Sequence, residues 1–263
     1  MGLAYIFETT HISYFHPLRR IASIIYTAWC GIWLLVPFLI VFPIIYICIQ
    51  RKQWHRFAHR VIQFYAKIFF IGSGLYIQKT YRFKPDTSKA YVFVANHFTY
   101  LDIAVGMNIV DNYFAYVGKS SVKKIPLFGY MFAKLHIQVD RSDKDSRAKS
   151  LVRGIKAIQS GRSVFIMPEG GIVSTNPPQM HLPLKDGAFI MAVENQVPIV
   201  PISYLNFHLI NKPLNLMRWG VPRVIFNEPI ETKGLTKNDI EMLKDKVYQV
   251  IQSDLDAYAA AHS

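Results

Sequence analysis

Apolar and polar positions divide the chain into two unlike parts. Residues 21–50 carry no charged side chain. As one straight helix this run measures roughly 45 Å, against a hydrocarbon core of about 30 Å. It is too long for the apolar stretch of a signal peptide, and no small-x-small cleavage pattern follows it. Pro37 and Pro43 lie inside it. Proline breaks or kinks helices, because it lacks an N–H and its ring collides with the preceding turn. Arg19 and Arg20 precede the run, and Arg51, Lys52, Arg56 and Arg60 follow it. Cations on both flanks lack the asymmetry of a simple spanning helix. The expectation is a hairpin that dips into the membrane and returns to the cytoplasmic face, with a kinked single span as the alternative.

Over residues 53–70 the pattern changes. Trp54, Phe57, Val61, Phe64, Tyr65 and Ile68 recur at helical spacing, and His55, Arg56, His59, Arg60 and Lys67 intervene. This predicts an amphipathic helix lying on an anionic bilayer. Gly72 and Gly74 mark a turn. Beyond it, short apolar runs alternate with helical periods. Strands are predicted over 76–83, 91–95, 113–117, 137–139, 163–167, 199–203 and 224–226. Helices are predicted over 101–108, 144–159, 188–194 and 237–259, the last capped by Thr236 or Asn238. This rhythm implies an α/β fold with a single mixed, largely parallel sheet flanked by helices. Two regions follow: a membrane-associated helical segment, 1–74, and an α/β domain, 75–263.

Composition narrows the partners. Thirty Lys and Arg against seventeen Asp and Glu give a net charge of +13, and 51% of residues are hydrophobic. Basic and apolar together favour an anionic membrane surface over nucleic acid, for which no binding motif is present. The two cysteines, Cys30 and Cys48, lie in the apolar run and form no CxxC pair. They read as small hydrophobes, and no metal site is expected.

The sharpest chemical feature is the segment from Asn96 through His97 to Asp102, directly after the apolar strand 91–95. Active sites of open α/β sheets gather beyond the carboxyl ends of strands. With His97 in the loop and Asp102 in the first helical turn, the carboxylate can orient the imidazole, which can then deprotonate a hydroxyl near neutral pH. Thr99-x-x-Asp102 is equally a helix-capping pattern. Residues alone leave both readings open.

Five blocks in order, over residues 90–203, resemble the glycerolipid acyltransferase family. The first is His97, four residues, then Asp102, preceded by Asn96. The second runs from Lys119 to Arg141 through Pro126 and Gly129. The third is Met167-Pro168-Glu169-Gly170, the fourth Lys185-Asp186-Gly187-Ala188, and the fifth Val197 to Pro201. The resemblance implies an enzyme in which His97 activates a lysolipid hydroxyl that attacks an acyl thioester, acyl-CoA or acyl-acyl carrier protein, without a further cofactor. It implies substrate-binding roles for Asn96, Lys119, Arg141, Glu169, Gly170 and Lys185, with Arg141, Glu169 and Gly170 on the acceptor and Lys119 attracting the anionic carrier or the acceptor. It also implies a place at the inner, cytoplasmic membrane, with the catalytic domain facing the cytoplasm. The chain lacks a Gly-x-Ser-x-Gly nucleophile elbow, in keeping with direct transfer.

One position departs from the family. Where Thr-Arg usually follows Glu-Gly, this chain has Gly171-Ile172. The missing arginine removes a cation from the expected phosphate site. The acceptor is therefore lysophosphatidate held by Arg141 or Lys185, or a lyso-aminolipid without a phosphate. A membrane-binding protein that kept the fold without the activity is the third reading, against which the intact His97 and Asp102 argue.

Overall fold

A computed structural model describes residues 3–212 and 216–262. Helix α1 spans Leu3–Ile49 without interruption. The expected hairpin inside residues 21–50 is not formed: the helix passes through Pro37 and Pro43, and the chain reverses only at residues 50–54. Packing supplies the reason. Helix α2, His55–Gly72, returns along α1, and the Tyr65 hydroxyl donates to the Leu34 carbonyl in the turn that Pro37 loosens. Further along, Tyr26 donates to the Ser73 carbonyl (2.8 Å) and Trp29 to the Gly72 carbonyl (3.0 Å). The predicted helix over 53–70 is thus α2, and the helical pair is α1 with α2.

The sheet has seven strands: β1 Gln78–Tyr81, β2 Val92–Ala95, β3 Phe114–Lys119, β4 Ile137–Val139, β5 Ser163–Ile166, β6 Ile199–Tyr204 and, last in the chain, β9 Arg223–Phe226. Their order is β1-β9-β6-β2-β5-β3-β4. Strands β6, β2, β5, β3 and β4 are mutually parallel, and β9 joins β6 antiparallel. A short hairpin, β7 Asn211–Lys212 with β8 Leu216–Met217, stands apart from the sheet. The sheet is mixed and largely parallel, as predicted, and all seven predicted strands are present.

Successive strand residues face opposite layers. Phe93 and Ala95 pack towards α1, α2, α3 (Leu101–Ile109) and α4 (Phe128–Leu135). Val92 and Val94 pack towards α5 (Lys144–Gln159), α6 (Gly187–Asn195) and α8 (Ile240–Ala260). The predicted cap Thr236 opens the 3-10 turn Lys237–Asp239 that leads into α8, paired with Asp239 in a reciprocal capping box. Helix α4 and the four-residue helix α7, Phe207–Ile210, had no periodic signal long enough to announce them.

The segment carrying α7 and the hairpin bridges two regions. The His208 ring meets Phe98, in the loop that follows β2, edge to face at 5.7 Å. The Met217 N–H donates to Thr27 of α1 (2.8 Å).

Candidate active site

Strand β2 delivers the chain to the carboxyl end of the sheet, and Asn96 fixes it there. Its amide donates to the Tyr204 carbonyl (3.0 Å) and accepts from the Tyr204 N–H (2.8 Å). Both polar ends of this fully buried side chain are consumed by the end of β6. The expectation that Asn96 binds substrate is therefore corrected: it ties two strand ends together.

The loop then turns around Asp102. This carboxylate is fully buried and accepts four hydrogen bonds. Its donors are His97 Nδ1 (2.9 Å), the N–H groups of Phe98 (2.8 Å) and Thr99 (2.9 Å), and the Thr99 hydroxyl (2.7 Å). Of the two readings left open by the sequence, imidazole orientation is realised; the carboxylate also gathers loop N–H groups ahead of α3, whose own N-terminus has no side-chain cap. Because the facing carboxylate only accepts, Nδ1 carries the ring proton and Nε2 keeps its lone pair. The His97 side chain is 11% exposed, so the imidazole is sheltered yet reachable from outside.

Glu169 supports the loop from beneath. Its Oε1 accepts from the His97 N–H (2.6 Å) and its Oε2 from the His181 N–H (2.8 Å). It is 2% exposed, and desolvation by burial pushes its pKa up to about 7 against the pull of those two donors. Glu169 was expected to bind the acceptor. The structure corrects this: both oxygens hold backbone, and the residue joins the His97 loop to the 171–186 loop. That loop is anchored again where the Met180 N–H donates to Gln252 of α8 (2.9 Å). The backbone donors of His97, Phe98 and Thr99 are thus all engaged, so an oxyanion takes its donors elsewhere.

The remaining predicted residues stand at the same end of the sheet, where β3, β4 and β5 also finish. Gly170 has φ +86°, a conformation that glycine adopts without strain, and the Lys185 side chain lies across it. A Cβ placed at Gly170 would meet Lys185 Cγ at 3.5 Å, and one at Gly171 would meet Arg141 Nη1 at 3.4 Å. Two cations therefore flank the turn that follows Glu169, and Ile172, where the family has arginine, is 39% exposed beside them. Lys119 ends β3 on the outer rim, where its charge falls on Asp140. The structure thus gathers His97, Asp102, Glu169, Gly170, Arg141 and Lys185, with Lys119 at the edge.

The family model described as Acyltransferase matches residues 76–205, a span holding every residue named so far in the site except Gln252. The chain is similar to that family over those residues, just under half of its length. It is 31% identical over 162 residues to the 1-acyl-sn-glycerol-3-phosphate acyltransferase of Saccharomyces cerevisiae, covering 60% of this chain and 53% of that one. It is 30% identical over 156 residues to the enzyme of that name from Haemophilus influenzae, covering 58% and 62%. The chain spans about half the length of the first curated relatives it matches. In fold it is similar to the crystal structure of the 1-acyl-sn-glycerophosphate (LPA) acyltransferase PlsC from Thermotoga maritima. The TM-score is 0.71 at 21% identity, over 92% of this chain and 98% of that one.

Sequence reasoning missed Tyr204, His181 and Gln252. Each acts through a backbone group or an amide on another element, and such partners leave no signature in local spacing. The Thr99 hydroxyl was legible only as part of the capping pattern.

Proposed function

We propose that this chain is a membrane-bound O-acyltransferase that moves a fatty acyl group from an acyl thioester to the hydroxyl of a lysolipid, 1-acyl-sn-glycerol-3-phosphate before others. The observation that carries this reading is His97 Nδ1 locked on buried Asp102, which leaves Nε2 as a base. Nε2 takes the acceptor's hydroxyl proton as the oxygen attacks the thioester carbonyl. The tetrahedral intermediate expels the thiolate, which recovers the proton from the imidazolium. No acyl-enzyme and no cofactor enter these steps. Asp102 stabilises the imidazolium at its peak of charge.

Arg141 and Lys185 support a phosphate-bearing acceptor, Arg141 foremost because a guanidinium makes paired bonds to phosphate oxygens. Ile172 supports the second reading, a lyso-aminolipid acceptor. Membrane attachment rests on α1, whose stretch Leu18–Ile49 is long and apolar enough to cross a bilayer and is mostly unburied. Acyl-CoA and acyl carrier protein are cytoplasmic, which favours the inner membrane with the domain on that side.

Purified full-length protein, offered lysophosphatidate and lyso-aminolipids with acyl-CoA or acyl carrier protein, tests the assignment by mass spectrometry of products. His97→Ala is expected to lower turnover by about 10²–10⁴-fold with folding intact. Wild-type turnover in that folded variant would sink the mechanism. Arg141→Ala is expected to raise the KM for lysophosphatidate more than that for the donor; acylation of a lyso-aminolipid alone would replace the phosphate acceptor.

A further inference from the structure

At the opposite end of the sheet, a cleft of about 140 Å³ opens between α2 and the loops that lead into β2 and β3. Its walls are Arg56, His59, Arg60 and Gln63 from α2, with Thr87, Asp111 and Tyr113 from the loops. These loops enter the strands whose far ends carry the catalytic residues, so roughly 20 Å of strand separates the two places.

Three observations point to an occupant. First, every wall residue is polar, and two guanidiniums face one carboxylate. Among the described residues neither Arg56 nor Arg60 forms an ion pair. The Asp111 charge acts on Lys79, which lies outside the cleft lining. Second, His59 is 1% exposed, and its Nδ1 is buried without a hydrogen-bond partner. Its Nε2 lies 3.3 Å from the Asn112 carbonyl, which only accepts, so Nδ1 is a lone pair lacking a donor. A buried polar atom left so is uncommon and calls for a bound partner. Third, the cleft lies beside exposed apolar surface. Phe57, Phe64 and Ile71 form an outward stripe on α2, each more than half exposed. Arg56 and Arg60 lie between that stripe and the buried face of the same helix, where a bilayer covering the stripe would place its head groups.

From these we infer that the cleft binds the head group of an anionic phospholipid, with its phosphate on Arg56 and Arg60 and a head-group hydroxyl donating to His59 Nδ1. The site is separate from the acyl-transfer site and does not depend on the acceptor assigned there. It gives the domain a specific lipid contact in addition to diffuse attraction between cations and membrane.

Full-length protein in neutral detergent tests this with dihexanoyl phosphatidylglycerol as ligand, read by thermal shift, and by native mass spectrometry for the number bound. Dihexanoyl phosphatidylcholine, inorganic phosphate and coenzyme A are run beside it. One phosphatidylglycerol per chain is expected, with little response to the other three. The double variant Arg56→Gln/Arg60→Gln should weaken binding by about tenfold or more. Thr87→Trp should do the same by filling the cleft without changing charge. Arg51→Gln/Lys52→Gln, which removes two cations outside the cleft, should leave it unchanged. Equal loss in this last variant, or binding retained in both cleft variants, would overturn the site. An equal response to phosphatidylcholine would overturn the anionic head group, and an equal response to phosphate or coenzyme A would overturn the lipid.

Discussion

The two helical layers cover one sheet from opposite sides, yet they end differently. Helices α5, α6 and α8 bury one apolar face and turn polar side chains outward, Val152 being the one large apolar residue among them that is well exposed. Helices α1 and α2 bury Cys30, Phe38, Ile45, Ile62, Phe69 and Phe70, and then expose a second apolar surface that includes Ile25, Leu35, Ile40, Phe57 and Phe64. Both layers satisfy the sheet. Only the first is finished for water; the second exposes apolar area on a scale that marks an interaction surface, which the proposed membrane attachment would cover. The lesson is that an inner face reports the fold, whereas an outer face reports the solvent.

The strongest test places charge on each outer face. Ile25→Glu, Leu35→Glu and Ile40→Glu combined are expected to shift most of the protein from membranes to the soluble fraction with its circular dichroism unchanged. Each acidic residue costs about 2.5–3.5 kcal/mol in hydrocarbon at the centre of a span and less near the interface. Val152→Glu on α5 is expected to change neither membrane fraction nor stability by more than about 0.5 kcal/mol. If the triple variant sediments with membranes like the wild type, the contrast between layers is wrong.

A second test probes how each layer tolerates added volume. A Cβ at Gly72 would fall 2.1 Å from the rigid Trp33 ring, between α1 and α2. Gly72→Ala should therefore destabilise by about 1–3 kcal/mol. In the other layer a Cβ at Gly154 meets the Met191 thioether at 2.3 Å. Methionine can rotate aside, and alanine gains about 0.8–1.0 kcal/mol of helix propensity over glycine, so Gly154→Ala should be milder. Denaturant melts of the two variants decide this, and a larger loss at Gly154 would reverse the comparison.

The smallest effect lies at the seam between the layers. Glu169 has its pKa raised from 4.5 to about 7 by desolvation. The folded protein keeps a proton there that the unfolded chain releases. The resulting stabilisation is fully present below about pH 4.5 and is lost as pH rises through about 7. Glu169→Gln removes this titration along with one acceptor. The fall in Tm from about pH 5 to about pH 8 should shrink in the variant, by an amount on the order of 1–3 kcal/mol in stability. An unchanged pH slope would show that Glu169 is ionised across that range.

What the chain determines locally was readable in advance. Short apolar runs gave the seven strands, because a strand covered on both faces reads as a continuous apolar run. The helical period gave α2, α3, α5, α6 and α8, and the Thr236 cap was readable because a cap spans only a few residues. His97 and Asp102 could be paired for the same reason, being five residues apart. Tertiary structure decided the rest. The passage of α1 through Pro37 and Pro43 goes with contacts to α2 that begin about thirty residues later. The task of Asn96 depends on Tyr204, 108 positions away, and that of Glu169 on His97, 72 positions away. The head-group cleft exists only where α2 meets loops from two separate strands. Local spacing fixes what a residue can do, and the partners that reach its polar atoms across the fold fix what it does.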